Sequence, residues 1–137
     1  MKAKLTLAIA IVAVLSLIAL PVLAGDDILM WVSRVRLAYN GRSSTGDDMV
    51  SAIAHIRDEN LSSVSGALVS GTWTVVDAYG TVSTYWDSAL TSFQGYAKVY
   101  LWAGRGAYTF CVDSVVKDGW LYEPSLNLQT CGTVVVP

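Results

Sequence analysis

His55 is the only histidine in the 137-residue chain, and little other side-chain material for catalysis accompanies it. A nucleophilic triad needs a histidine beside an activated serine. The strained G-x-S-x-G turn that presents such a serine does not occur here. His55 falls midway along an alternating run, on its polar parity, the place of a surface strand residue rather than of a general base. The two cysteines, Cys111 and Cys131, lack the second pair that a tetrahedral zinc site draws on. The acidic pairs Asp26-Asp27 and Asp47-Asp48, with Asp77 and Asp87, offer oxygen ligands for calcium. No D-x-D-x-D-G loop gathers them, and acidic residues in turns have a structural reason to be there. The same placement argues against hydrolysis by paired carboxylates, which the sequence nevertheless leaves open. The expectation is a non-catalytic protein with no cofactor and no metal.

Aromatic residues are the richer material, with five Trp and seven Tyr. Trp73 and Tyr108 are expected in the core. Tyr79, Tyr85, Trp86, Trp102, Trp120 and Tyr122 lie in or beside expected loops and form the candidate ligand or partner surface. Exposed rings can stack on sugar faces or anchor a protein interface. The competing role for the same rings is to plug the open ends of a β-sandwich.

The elements that would position these residues begin after residue 24. Lys2 and Lys4 precede an apolar run from Leu5 to Leu20, and Pro21-Val22-Leu23-Ala24 ends in a small residue at the expected cut. This pattern reads as a cleaved secretory signal peptide over residues 1–24, with a retained anchor as the competing reading. Cleavage leaves 113 residues (25–137), enough for one domain with its own core. Seven Lys and Arg then face eleven Asp and Glu, a formal charge of −4. A mildly acidic chain with scattered arginines does not suit nucleic acid, and no second apolar run suits a membrane. In an exported chain Cys111 and Cys131 are expected to pair as a disulfide.

Val50 to Val76 holds the clearest strand signal. Val50, Ala52, Ala54 and Ile56 alternate with Ser51, His55 and Arg57. Ala67, Val69, Gly71, Trp73 and Val75 then alternate with Ser70, Thr72 and Thr74, after a polar turn at Asp58 to Ser63. A face carrying Val69 and Trp73 requires a second sheet to cover it. Ile28 to Tyr39 reads as an earlier strand, with Trp31, Ser33, Val35, Leu37 and Tyr39 on one parity. Thr81 to Trp86 suggests a short edge strand, interrupted by Asp87-Ser88-Ala89-Leu90. Gly95 to Trp102, Ala107 to Val116 and Cys131 to Val136 complete the strands, and Asp118 to Asn127 reads as a loop. In the Ala107–Val116 strand Tyr108, Phe110, Val112 and Ser114 share the inner parity. Cys111 has the opposite parity, so its bond to Cys131 should tie the last two strands on the outer face. The prediction is an all-β antiparallel sandwich of about seven strands.

The stretch Val64-Ser65-Gly66-Ala67 with Val69 and Gly71-Thr72-Trp73 resembles a segment of secreted bacterial and archaeal immunoglobulin-like or fibronectin-type-III-like modules, often appended to proteases and other hydrolases. Gly106 to Phe110 is similar to their penultimate strand, with Tyr108 as a tyrosine corner, and Asp118 to Ser125 to the turn after it. The Gly-x-Pro usual in the first turn is replaced by Leu61-Ser62-Ser63. The resemblance spans nearly all of 25–137 and implies an extracellular accessory or structural role, without catalytic residues to transfer. The function expected is structural or adhesive, binding an extracellular protein or contributing to a surface assembly, with carbohydrate binding through the loop aromatics as the alternative. Asn60-Leu61-Ser62 also fits the N-glycosylation sequon.

Overall fold

Alternating apolar residues give most runs one face to bury, and among the described residues eight strands form. They are β1 (Ile28–Arg42), β2 (Asp48–Asp58), β3 (Leu68–Asp77), β4 (Val82–Leu90), β5 (Tyr96–Trp102), β6 (Gly106–Val116), β7 (Trp120–Tyr122) and β8 (Cys131–Val136). The computed structural model describes residues 27–42, 48–102 and 104–137. The expected signal peptide at 1–24 lies outside them. One sheet has the order β5-β2-β1-β7 and the other β4-β3-β6-β8. All neighbours pair antiparallel except β1 and β7, which are parallel. Among the described residues no helix is long and apolar enough to cross a membrane.

The inner faces meet as the alternation requires. Val50, Ala52, Ala54 and Ile56 of β2 face Val69, Trp73 and Val75 of β3 and Tyr108 and Phe110 of β6, all buried in one core. Trp73 and Phe110 pack with ring centroids 5.0 Å apart and planes tilted by 56°. Gly71 makes room for this pair, because a Cβ there would collide with the Phe110 ring and the Cys111 carbonyl.

Two bulges correct the expected parities. In β1, Ser33 has no counterpart in the register between Val32–Ile56 and Arg34–His55. The extra residue lets Met30 and Val32 face the core before it and Val35 after it, while Arg34 and Arg36 stay exposed. In β6 the unpaired residue is Asp113, so Val115 rather than Ser114 continues the buried row. Two elements also differ from expectation. β4 runs unbroken through Asp87–Leu90, since those residues pair in sequence with Leu68–Gly71. Trp120–Tyr122, expected within a loop, adds a short eighth strand along Ile28–Met30. The rest of that loop then serves the β1 edge. Val32 donates to Asn127 Oδ1 at 2.8 Å, Leu128 donates to the Val32 carbonyl at 3.0 Å, and Gln129 donates to the Val35 carbonyl at 2.7 Å.

Cys111 and Cys131 stand directly opposite each other on β6 and β8 and form the disulfide, on the outer face as the parity required. Tyr108 is fully buried, and its hydroxyl donates to the Gly104 carbonyl four residues upstream.

Two turns share one design. Asp77 Oδ1 accepts from the amides of Tyr79 and Thr81, and Gly80 takes a positive φ of 84°. Asp58 Oδ1 accepts from Asn60 and Ser62 in the same pattern, but the positive-φ residue is Leu61, at 62°. A left-handed conformation costs a Cβ-bearing residue about 1–2 kcal/mol, and the exposed Leu61 side chain returns little by burial. Leu61→Gly should therefore stabilise the fold by about 0.5–1 kcal/mol after glycine's own entropy cost, read as a higher urea midpoint at unchanged m. Replacing both Cys111 and Cys131 by Ser should cost on the order of 3 kcal/mol in the same measurement, for a crosslink 20 residues apart.

Candidate functional site

The β4 edge collects the most exposed apolar side chains of any single strand. Val82, Tyr85, Trp86 and Leu90 are all exposed, Trp86 to 69 %. On the other side of β4 from β3 no strand pairs with it. An open edge is a template for another strand, and proteins usually blunt it with Lys, Pro, a bulge or brevity. β4 is nine residues long, pairs with β3 without a register shift, and contains neither Lys nor Pro. Its one charged residue, Asp87, is half-buried, with Oδ1 accepting from the Ser88 amide. The other edges are better protected. β5 carries Lys98, β8 has six residues, and β7 with the following loop occupies β1.

The face beside β4 continues this character. On the outer side of the second sheet, Leu90, Leu68 and Val116 form one row across three strands. Val82, Val76, Ala107 and Val135 form another across four. Between them Thr84, Thr74, Thr109 and Thr133 make a row of threonines, with Thr109 and Thr133 hydroxyls 3.0 Å apart. Asp113 at the bulge accepts from the Thr72 hydroxyl at 2.6 Å.

The six candidate aromatics do not come together. Trp120 and Tyr122 on β7 are half-buried against the core, filling space between the sheets. Tyr79 sits on the β3–β4 turn, 95 % exposed. Tyr85 and Trp86 belong to β4, on opposite faces, Tyr85 opposite the core residue Trp73 and Trp86 opposite Thr72. Trp102 ends β5 on the outer face of the other sheet, in line with Tyr96, Lys98 and Tyr100. Five of the six are strand residues: Tyr85, Trp86 and Trp102 in β4 and β5, where strands were expected, and Trp120 and Tyr122 in β7, where a loop was expected.

His55 departs most from its expected place. It lies on the outer face of the first sheet, yet only 8 % of its surface is exposed. Tyr96 stacks on it, with ring centroids 4.4 Å apart. Ser33, the β1 bulge residue, donates its hydroxyl proton to the His55 carbonyl at 3.0 Å. The same hydroxyl oxygen lies 3.0 Å from Nδ1, in a hydrogen bond whose donor is set by the ring tautomer. Nε2 lies 3.1 Å from the Ser63 hydroxyl oxygen, hydrogen-bonded in the sense the same tautomer sets. Burial holds the pKa below the usual 6.5, with the Arg57 and then the Arg34 charges acting in the same direction and the Gln94 carbonyl against them. The ring fastens β1, β2 and the Ser62–Val64 segment together. Among the described residues no cluster of three or more His, Cys, Asp or Glu could hold a metal ion. The alternation of β2 alone gave no sign of this burial, because the covering groups come from β1 and β5.

Comparisons with models of protein families, with curated proteins and with solved structures find no match.

The lowered His55 pKa fixes the sign of a pH effect. Below pH 6.5 the unfolded chain takes up a proton that the folded ring resists, so stability is full above 6.5 and declines as pH falls through the window beneath it. An NMR titration of this single histidine should give a midpoint under 6.5, and His55→Asn should flatten the decline of the melting temperature just below that pH. A ring that titrates at or above 6.5 would contradict the neutral, buried assignment.

Proposed function

We propose that this protein is an exported, non-catalytic module of the immunoglobulin-like or fibronectin-type-III-like kind, with a structural or adhesive role. It docks an extracellular polypeptide, a second copy of this chain in the first instance, along the β4 edge. The observation that carries this reading is β4 itself: nine residues of open edge with Val82, Tyr85, Trp86 and Leu90 exposed, no Lys, Pro or bulge, and the inward-facing Asp87 as its one charge. Strand addition supplies the main-chain hydrogen bonds, and the alternate side chains supply selectivity.

The module assignment is supported by the strand order, in which β5-β2-β1 opposes β4-β3-β6-β8, and by the Tyr108 hydroxyl on Gly104. Export is supported by the basic-then-apolar segment at residues 2–24 and by the disulfide. The carbohydrate alternative through the six aromatics has weaker support, since Tyr79, Trp86 and Trp102 occupy a turn and two opposite sheets.

Light scattering on protein recovered from culture medium tests the reading. Association should grow with concentration, and Trp86→Lys or Leu90→Lys should return a monomer with its melting temperature kept. A protein monomeric at every concentration would defeat self-assembly through β4. One that stays uncleaved in the membrane would defeat export.

A further inference from the structure

Opposite β4, the outer face of the first sheet gathers cations that the sequence spreads over 65 residues. The register places Arg36, Ile53 and Lys98 in one row and Arg34, His55 and Tyr96 in the next. These six residues line a groove of about 360 Å³. A second hollow of about 240 Å³ shares Arg34, His55 and Tyr96 and runs on to Arg57. Four of the seven Lys and Arg beyond residue 24 thus stand on one face of an acidic chain. Among the described residues no carboxylate forms an ion pair with any of them, and Arg57 Nε is buried without a hydrogen-bond partner. Cations held close together without counter-charges repel one another, and that repulsion is relieved when an anion enters.

The surroundings narrow the anion. Arg34 and Arg36 lie two residues apart on β1, about 7 Å along the strand, and Lys98 lies two strand spacings away, about 10 Å across. Long side chains from these three positions can converge over Ile53, which forms an apolar floor between them. Three donors, two from β1 and one from β5 across Ile53, match the three terminal oxygens of a tetrahedral ester better than the two of a planar carboxylate. His55 adds no competing charge, because its ring is neutral and already hydrogen-bonded on both nitrogens. Tyr96 is fixed by its stack on that ring and is still 44 % exposed, a flat apolar surface beside the cations. Tyr100 and Trp102 continue the same face of β5, with Lys98 Nζ 5.0 Å from the Tyr100 ring centre. A charge of −4 on the chain beyond residue 24 favours a ligand bearing few charges over a long polyanion.

We propose that this groove binds a sulfate or phosphate ester carried by a saccharide, with the oxyanion among Arg34, Arg36 and Lys98 above Ile53 and the sugar body against Tyr96. It is a second surface, on the other sheet from β4.

Titration calorimetry at low salt on protein from culture medium tests it, with a tetrasaccharide carrying a single sulfate ester as probe. The sulfated probe should bind at least tenfold more tightly than its desulfated form and than inorganic sulfate, and binding should weaken as salt rises. Arg36→Ala and Lys98→Ala, both at exposed positions, should each weaken it at least about tenfold at unchanged melting temperature. Trp86→Lys on the far sheet should leave it unchanged, so failure of the β4 reading and failure of this one are separable. Absence of binding, or insensitivity to both alanine variants, would overturn the proposal. So would inorganic sulfate binding as tightly as the tetrasaccharide, which makes this a free-ion site. Oligothymidylate binding as tightly would mean nonselective attraction of polyanions.

Discussion

Trp73 is completely buried between the two sheets, against Phe110 and beneath the gap left by Gly71, and the rest of the sandwich is arranged to keep it there. A ring of that size returns its burial energy only if both sheets close over it without a void. Its indole N–H has no hydrogen-bond partner among the described residues, so the ring is held for its apolar area at the expense of an unsatisfied donor. The Tyr108 hydroxyl bond and the β6–β8 disulfide flank this packing along the strand that carries Phe110. The Asp113 bulge follows from the same demand, because without the extra residue β6 would turn Ser114 rather than Val115 toward the core.

The constraint on the core leaves the two outer faces free to differ in chemistry. One carries rows of Val, Leu and Thr that end at an open edge strand. The other carries Arg, Lys and Tyr around an inward-tied histidine. Neither character is needed for folding, since both sets of side chains point away from the core. Segregating them costs something, through exposed apolar area on one side and unpaired like charge on the other. A surface selected only for solubility would intersperse the two.

His55 shows how a bulge can create a local site. The extra residue at Ser33 brings a hydroxyl under the ring at a point where regular pairing would present a side chain to solvent. Tyr96 then covers the ring from β5. The result is a neutral centre in a positively charged face, made by the neighbouring strands β1 and β2 and by β5 from far along the chain.

The sequence alone determined the all-β class, the location of most strands, the buried rows of β2 and β3, and the pairing and outward placement of Cys111 and Cys131. Those properties depend on a period of two between neighbouring residues, which is written locally. It also marked Asp58 to Ser63 as a polar turn, though not that Leu61 would take the left-handed position. Tertiary structure decided the rest: the parity switches at Ser33 and Asp113, the length of β4, the burial of His55, the dispersal of the six aromatics, and the meeting of Arg34, Arg36, Arg57 and Lys98 on one face. A bulge shifts every side chain after it, and strand register brings together residues far apart in the chain. Both are set by which strands pair and by how well the core then fills, and neither leaves a periodic mark in the sequence of any single strand.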